Sequence, residues 1–71
     1  MAKKKNEIEN LNRIAEVLGK KGISQYRLHK DSGISYSLIN GYYSNKKQPG
    51  LKQLKAIADK LEVTGKDLLN F

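Results

Sequence analysis

Residues 23–43 read ISQYRLHKDSGISYSLINGYY, and the fold is decided in this stretch. The same local device occurs in it twice: Ile23-Ser24 precedes Leu28, and Ile34-Ser35 precedes Ile39. In each case the serine suits the N-cap of a helix. The apolar residue before it is placed to pack against the one at N4, a hydrophobic staple that fixes the angle at which the chain enters the helix. The spacing predicts a second helix over about 25–32 and a third over about 36–43. Between them stand Asp31, Ser32, Gly33 and Ile34, with Gly33 where a left-handed residue is wanted after the helix end. Two short helices joined by so tight a turn must cross steeply, which is the helix-turn-helix arrangement.

Outward from this centre the same signals continue. Asn6 suits an N-cap with Glu9 three residues on, and Ile8, Leu11, Ala15 and Leu18 share a face that Ile14 and Val17 widen. A first helix over about 7–20 is expected, ended by Gly19 and Gly22. Residues 44–50, SNKKQPG, are a polar loop in which Asn45 suits a left-handed turn. A fourth helix over about 51–61 would turn Leu51, Leu54, Ile57, Ala58 and Leu61 inward. A third staple, Val63 before Thr64 with Asp67 at N3 and Leu68 at N4, starts a last helix. The expectation is all-α: a compact five-helix bundle containing a helix-turn-helix, with one domain over 7–71 and a flexible basic tail over 1–6.

The chain has 71 residues, so its core is small and must be built economically. With no cysteine, neither a disulfide nor a thiolate metal site braces it, and nothing points to secretion. Its apolar runs are far short of the roughly 20 residues a membrane span needs, and MAKKK at the start lacks the apolar stretch of a signal peptide. No membrane partner is expected, and a cytoplasmic location is the default. The net charge of +7 is unevenly placed. Between residues 20 and 55, Lys20, Lys21, Arg27, Lys30, Lys46, Lys47, Lys52 and Lys55 are opposed by Asp31 alone, so this window holds the whole surplus. A polyanion is the natural partner, because each neutralised phosphate releases counterions; a solubilising surface is the bland alternative.

If helix two braces helix three against DNA, helix three needs two faces. Ile39 and Tyr42 are spaced to lie inward near Leu28, while Tyr36, Ser37 and Asn40 project outward and Gly41 leaves space beside them. An asparagine pairs bidentately with adenine, and serine and tyrosine hydroxyls donate or accept at several base edges. Gln25, just inside helix two, and the adjacent backbone N–H groups would hold a phosphate. Ser44, Asn45, Lys46 and Lys47 form a loop that would clamp the backbone beyond helix three, with a solvated loop as the competing reading. Lys3, Lys4 and Lys5 read either as a groove-following arm or as a solvated tail. His29 is the only histidine, and it reads as packing at the crossing of helices two and three. A lone imidazole without a cysteine or a carboxylate pair makes neither a metal site nor a catalytic base, so no enzyme, cofactor, metal or small-molecule ligand is expected.

Ser24-Gln25 with Leu28, then Gly33-Ile34-Ser35, Ile39, a lysine-bearing loop ending at Pro49, and Leu51, Leu54, Ile57, Ala58, Leu61 and Val63 resemble the phage repressor and Cro (XRE-type) helix-turn-helix family over about residues 11–70. The resemblance implies a lambda-repressor-like five-helix domain whose third helix enters the major groove, with operators bound by a two-fold symmetric homodimer. It carries Gln25 onto the family's phosphate-contacting glutamine. Tyr36, Ser37 and Asn40 fall on base-reading positions, and Ser44, Lys46 and Lys47 on the backbone-contacting loop. Ser35 and Asn45 are counted with the phosphate contacts. The chain departs from the family in having His29 where a small alanine is common, Asn45 where glycine is usual, and Gly41 where some members place a base contact. Leu18 and Tyr43 replace an arginine–glutamate pair together, which avoids stranding one charge. Leu69 and Phe71 are candidate dimer contacts, with final core packing as the alternative.

The function expected is a double-stranded-DNA-binding transcriptional regulator of repressor type, bacterial or phage-encoded. The competing class is a protein-interaction module on the same fold, such as an antitoxin or anti-repressor, which would bind DNA weakly and without regard to sequence.

Overall fold

A computed structural model describes residues 9–71 of the chain. Four helices follow one another: α1 (Ile14–Lys21), α2 (Gln25–Ser32), α3 (Tyr36–Tyr43) and α4 (Leu51–Leu61), with a single 3-10 turn, Lys66–Leu68, after them. The expected tail over 1–6, including Lys3 to Lys5, lies outside the described residues.

Local chemistry accounts for the central pair. The Ser24 hydroxyl accepts the Arg27 N–H at 3.0 Å, and the Ser35 hydroxyl accepts the Leu38 N–H at 3.2 Å. Each satisfies one of the four amides that a helix start leaves without a partner. At the end of α2, Gly33 takes φ 76° and its N–H closes on the His29 carbonyl at 3.0 Å. A side chain would be strained there.

The staple residues enter one core. Leu28, Ile34, Ile39 and Tyr42 are buried together with Ile14 and Leu18 of α1, Leu54, Ile57, Ala58 and Leu61 of α4, and Leu68; Ile23 and Val63 pack against them. Both α1 and α2 pack on α3 and α4. Complete burial of each such aliphatic side chain stabilises the fold by about 1.5–3 kcal/mol relative to exposure. The helix-turn-helix is thereby set on a rigid base, with one side of α3 in the core and the other free.

Three expectations are corrected. The first helix begins at Ile14 instead of near residue 7: the expected Asn6 cap and Ile8 lie outside the described residues, and residues 9–13 are not helical. The Asn12 side chain accepts the Ile14 N–H at 3.0 Å, and the residues just before it are drawn into pairing with the C-terminal segment. Arg13 donates its N–H to the Leu68 carbonyl and Asn70 donates to the Leu11 carbonyl, each at 2.8 Å, around an isolated antiparallel bridge between Asn12 and Leu69.

The fifth helix is only the 3-10 turn. Its capping box forms, with Thr64 N–H on the Asp67 carboxylate at 3.0 Å and Asp67 N–H on the Thr64 hydroxyl at 3.2 Å. Leu69 then turns extended to meet residue 12, and the turn is not continued. Leu51 is the third case: it overhangs the core at the first position of α4 and is 85% exposed.

Candidate nucleic-acid interface

The face of α3 opposite Ile39 and Tyr42 carries Tyr36, Ser37 and Asn40, all exposed. Eight helical residues span about 12 Å, comparable to the width of the B-DNA major groove. The stretch from Ser32 to Ala58 contains no acidic residue, so neither α3 nor the loop after it carries a carboxylate that would repel phosphate.

The basic window divides into two sets. Lys20, Arg27 and Lys55 are each paired along their own helix, with Glu16 at 3.3 Å, Asp31 at 3.5 Å and Asp59 at 3.2 Å. Exposed pairs of this kind contribute little to stability. Among the described residues, Lys21, Lys30, Lys46, Lys47 and Lys52 have no carboxylate partner. Lys30 lies 5.9 Å from the Tyr26 ring centroid, within cation–π range.

Lys46 and Lys47 are held by their backbone. The Gly41 carbonyl accepts the N–H groups of Lys46 at 3.0 Å and Lys47 at 3.1 Å, together with the Ser44 hydroxyl at 3.2 Å. The loop therefore folds back over the end of α3. The Lys47 stem crosses Gly41 so closely that a Cβ there would sit 3.2–3.4 Å from its carbons. This contact gives the glycine a role that the sequence reading, which left it as open space, did not supply.

Asn45 takes the left-handed conformation expected of it, at φ 62°. Its side chain does not point outward. The Oδ1 accepts the N–H groups of Leu11 at 2.9 Å and Asn12 at 3.0 Å and the Gln48 amide at 3.1 Å. The Nδ2 donates to Asn10 Oδ1 at 2.8 Å and to the Asn12 carbonyl at 3.3 Å. Asn12, only 2% exposed, donates in turn to the Tyr42 carbonyl at 3.0 Å and to Gln48 Oε1 at 2.8 Å. Asn70 closes the set by donating to the Asn10 carbonyl at 2.6 Å. Asn10, Asn12, Gln48 and Asn70 thus position the lysine loop, and sequence reasoning missed all four. Their one signal was the number of amide side chains near residues 10 and 45, and spacing along the chain does not reveal contacts between such distant segments.

At the other end of the interface, Gln25 is half-buried with its side-chain Oε1 buried and without a partner among the described residues. Ser35 caps α3, and Ser44 lies at its far end. His29 sits where α2 meets the turn, its Nδ1 2.6 Å from the Ile34 carbonyl. Its ring lies between Tyr26 and Tyr36, with both centroids 5.9 Å away. Leu69 packs partly against the core, whereas Phe71 is 89% exposed. No three His, Asp or Glu side chains gather into a metal site among the described residues, and no described helix is long and apolar enough to cross a membrane.

Known proteins agree with this geometry. The model of the Cro/C1-type HTH DNA-binding domain matches residues 4–71. The crystal structure of a candidate DNA-binding protein from Bacteroides fragilis superposes with a TM-score of 0.80 at 38% identity, covering 84% of this chain and 97% of that one. No curated protein sequence matches significantly. With α2 and α3 packed together across the short turn at Gly33 and its family match over nearly the whole length, the chain belongs to the Cro/C1-type helix-turn-helix DNA-binding domains.

Proposed function

We propose that the protein is a sequence-specific regulator of transcription, acting as a repressor at a bacterial or phage operator in the cytoplasm. Tyr36, Ser37 and Asn40 read base edges in the major groove, and Gln25, Ser35, Ser44, Lys46 and Lys47 hold the flanking phosphates. The observation that carries the reading is the exposed polar face of α3, continuous with two carboxylate-free lysines whose backbone is pinned to its end. Asn45 serves the phosphates through the loop it shapes, since its amide is already engaged. The buried Gln25 oxygen leaves the amide nitrogen as the group that donates to a phosphate. Two copies bind a symmetric operator, with the exposed Phe71 and the partly buried Leu69 as apolar contacts.

The test is selection of bound duplexes from a random pool, followed by titration of the selected and a scrambled site at several salt concentrations. A short palindromic site is expected. Asn40→Ala relaxes preference at particular bases by about 1–3 kcal/mol each. Lys46→Ala and Lys47→Ala weaken all sequences alike and each lower the salt slope by about one. Enrichment of no sequence, with binding that vanishes in salt, would overturn sequence-specific readout and leave the protein-interaction reading.

A further inference from the structure

We propose that His29 is a specificity-determining positioning residue: it sets the ring of Tyr36, and through that ring the base preference at one step of the operator. The inference rests on Tyr36 reading a base. Tyr36 is the first residue of α3 and is 47% exposed, so about half of its surface is left open to a partner. The imidazole of His29 meets it edge-on, with centroids 5.9 Å apart and an interplanar angle of 80°. That is the T-shaped arrangement aromatic rings prefer, the positive edge of one against the negative face of the other.

The imidazole is itself fixed from two further directions. Its Nδ1 lies 2.6 Å from the Ile34 carbonyl, and a carbonyl oxygen only accepts, so the proton must be on Nδ1. This bond spans the turn between α2 and α3 and locks the ring plane. Tyr26, one helical turn earlier on α2, packs against the imidazole at 5.9 Å and 58°. Tyr26 is 60% exposed, with the Lys30 ammonium over its ring. The result is a row of rings from α2 to the recognition face, with its middle member bonded to the turn. A base-reading group must be held in place by neighbours whose own conformations are locked, and His29 meets that requirement for Tyr36.

The role requires both a ring and a donor at position 29. His29→Ala removes both, His29→Phe keeps a ring without the donor, and His29→Gln keeps a donor without the ring. Each variant is carried through duplex selection and titration beside the wild type, Tyr36→Ala and the double variant His29→Ala/Tyr36→Ala. Thermal unfolding of each reports folding separately. His29→Ala is expected to lower discrimination about three- to tenfold at the step that Tyr36→Ala also relaxes. Preference at the other steps and the salt slope stay unchanged. His29→Phe and His29→Gln fall between, and the double variant is no worse than Tyr36→Ala alone.

A uniform loss at every step, or additive losses in the double variant, would show that His29 serves only the fold and would overturn the inference. Full discrimination by His29→Ala, while Tyr36→Ala loses it at one step, would overturn the inference and leave Tyr36 as a reader. A Tyr36→Ala protein that selects the wild-type site would remove Tyr36 from the readout and this inference with it. If His29→Ala does not fold, the comparison of His29→Phe with His29→Gln decides, with equal discrimination to wild type in both counting against the proposal.

Discussion

One oxygen of Asn45 holds the backbone N–H groups of both Leu11 and Asn12, at 2.9 and 3.0 Å, across 34 and 33 residues of chain. The same residue supplies the left-handed turn, at φ 62°, that sends the lysine loop back over α3. A single side chain therefore decides both the path of the loop and its attachment to the N-terminal segment.

Replacing Asn45 tests the two roles separately. Asn45→Ala strands two amides and puts in the left-handed region a residue that tolerates it less well than asparagine, and about 2–4 kcal/mol of stability should be lost. Asn45→Gly loses the same hydrogen bonds without the strain and should recover about 1 kcal/mol of that. Denaturant unfolding of the two variants measures the difference. Equal stabilities would mean that the backbone conformation costs nothing here.

Asn12 and Asn45 should behave as one unit. Asn12→Ala leaves the Ile14 N–H without its acceptor and the Tyr42 carbonyl with the Asn45 N–H as its remaining donor, and about 1–3 kcal/mol should be lost. Because Asn12 and Asn45 bond each other as well as Gln48, the double substitution should cost clearly less than the two single losses together. A double-mutant cycle by chemical denaturation gives the coupling directly, and additivity would show two independent sites.

Gly41→Ala should separate stability from DNA binding. In mid-helix the substitution favours the fold by about 0.5–1 kcal/mol. The new Cβ would meet Lys47 at 3.2–3.4 Å and displace its stem. The melting temperature is expected to hold or rise while affinity falls for every DNA sequence alike. Unchanged affinity in a titration would mean that the Lys47 position is immaterial to binding.

Asp67 gives a pH signature at the last turn. The Thr64 backbone N–H, then the Thr64 hydroxyl, hold the Asp67 carboxyl below the ordinary aspartate value, with Arg13 and Lys66 adding to the effect. A folded-state pKa below that of the unfolded chain stabilises the fold when the group is ionised. The contribution is full above about pH 4 and fades as pH falls through the folded value. The stability gap between the wild type and Asp67→Ala should therefore be constant near neutrality and narrow in acid. A gap that does not change with pH would show that the charge plays no part.

What was legible in the sequence was what neighbouring residues decide. The limits of α2, α3 and α4 follow from Ser24 and Ser35, from Gly33 and from the apolar spacing, all acting within a few residues. The outward setting of Tyr36, Ser37 and Asn40 follows from helical period alone. The failures lie where distant segments compete with local preference. Helix-forming spacing from residue 8 onward yields to the pairing of 11–13 with 68–70, and the good capping box at Thr64 starts a helix that Leu69 leaves at once. The φ of Asn45 could be read from its residue type. The direction of its amide could not, because its partners are fixed only by the tertiary fold.

The lacing of residues 10–13 to 68–70 also makes the domain nearly a ring. A short linker joining residue 71 to residue 9 would close a short loop at little entropic cost, and the chain could be reopened at the exposed turn around Glu62 between α4 and the 3-10 turn. Such a circular permutant would keep the helix-turn-helix uncut. It would also carry both new termini away from the clasp, so that the hold of the amide cluster on the lysine loop no longer depended on the ends of the chain.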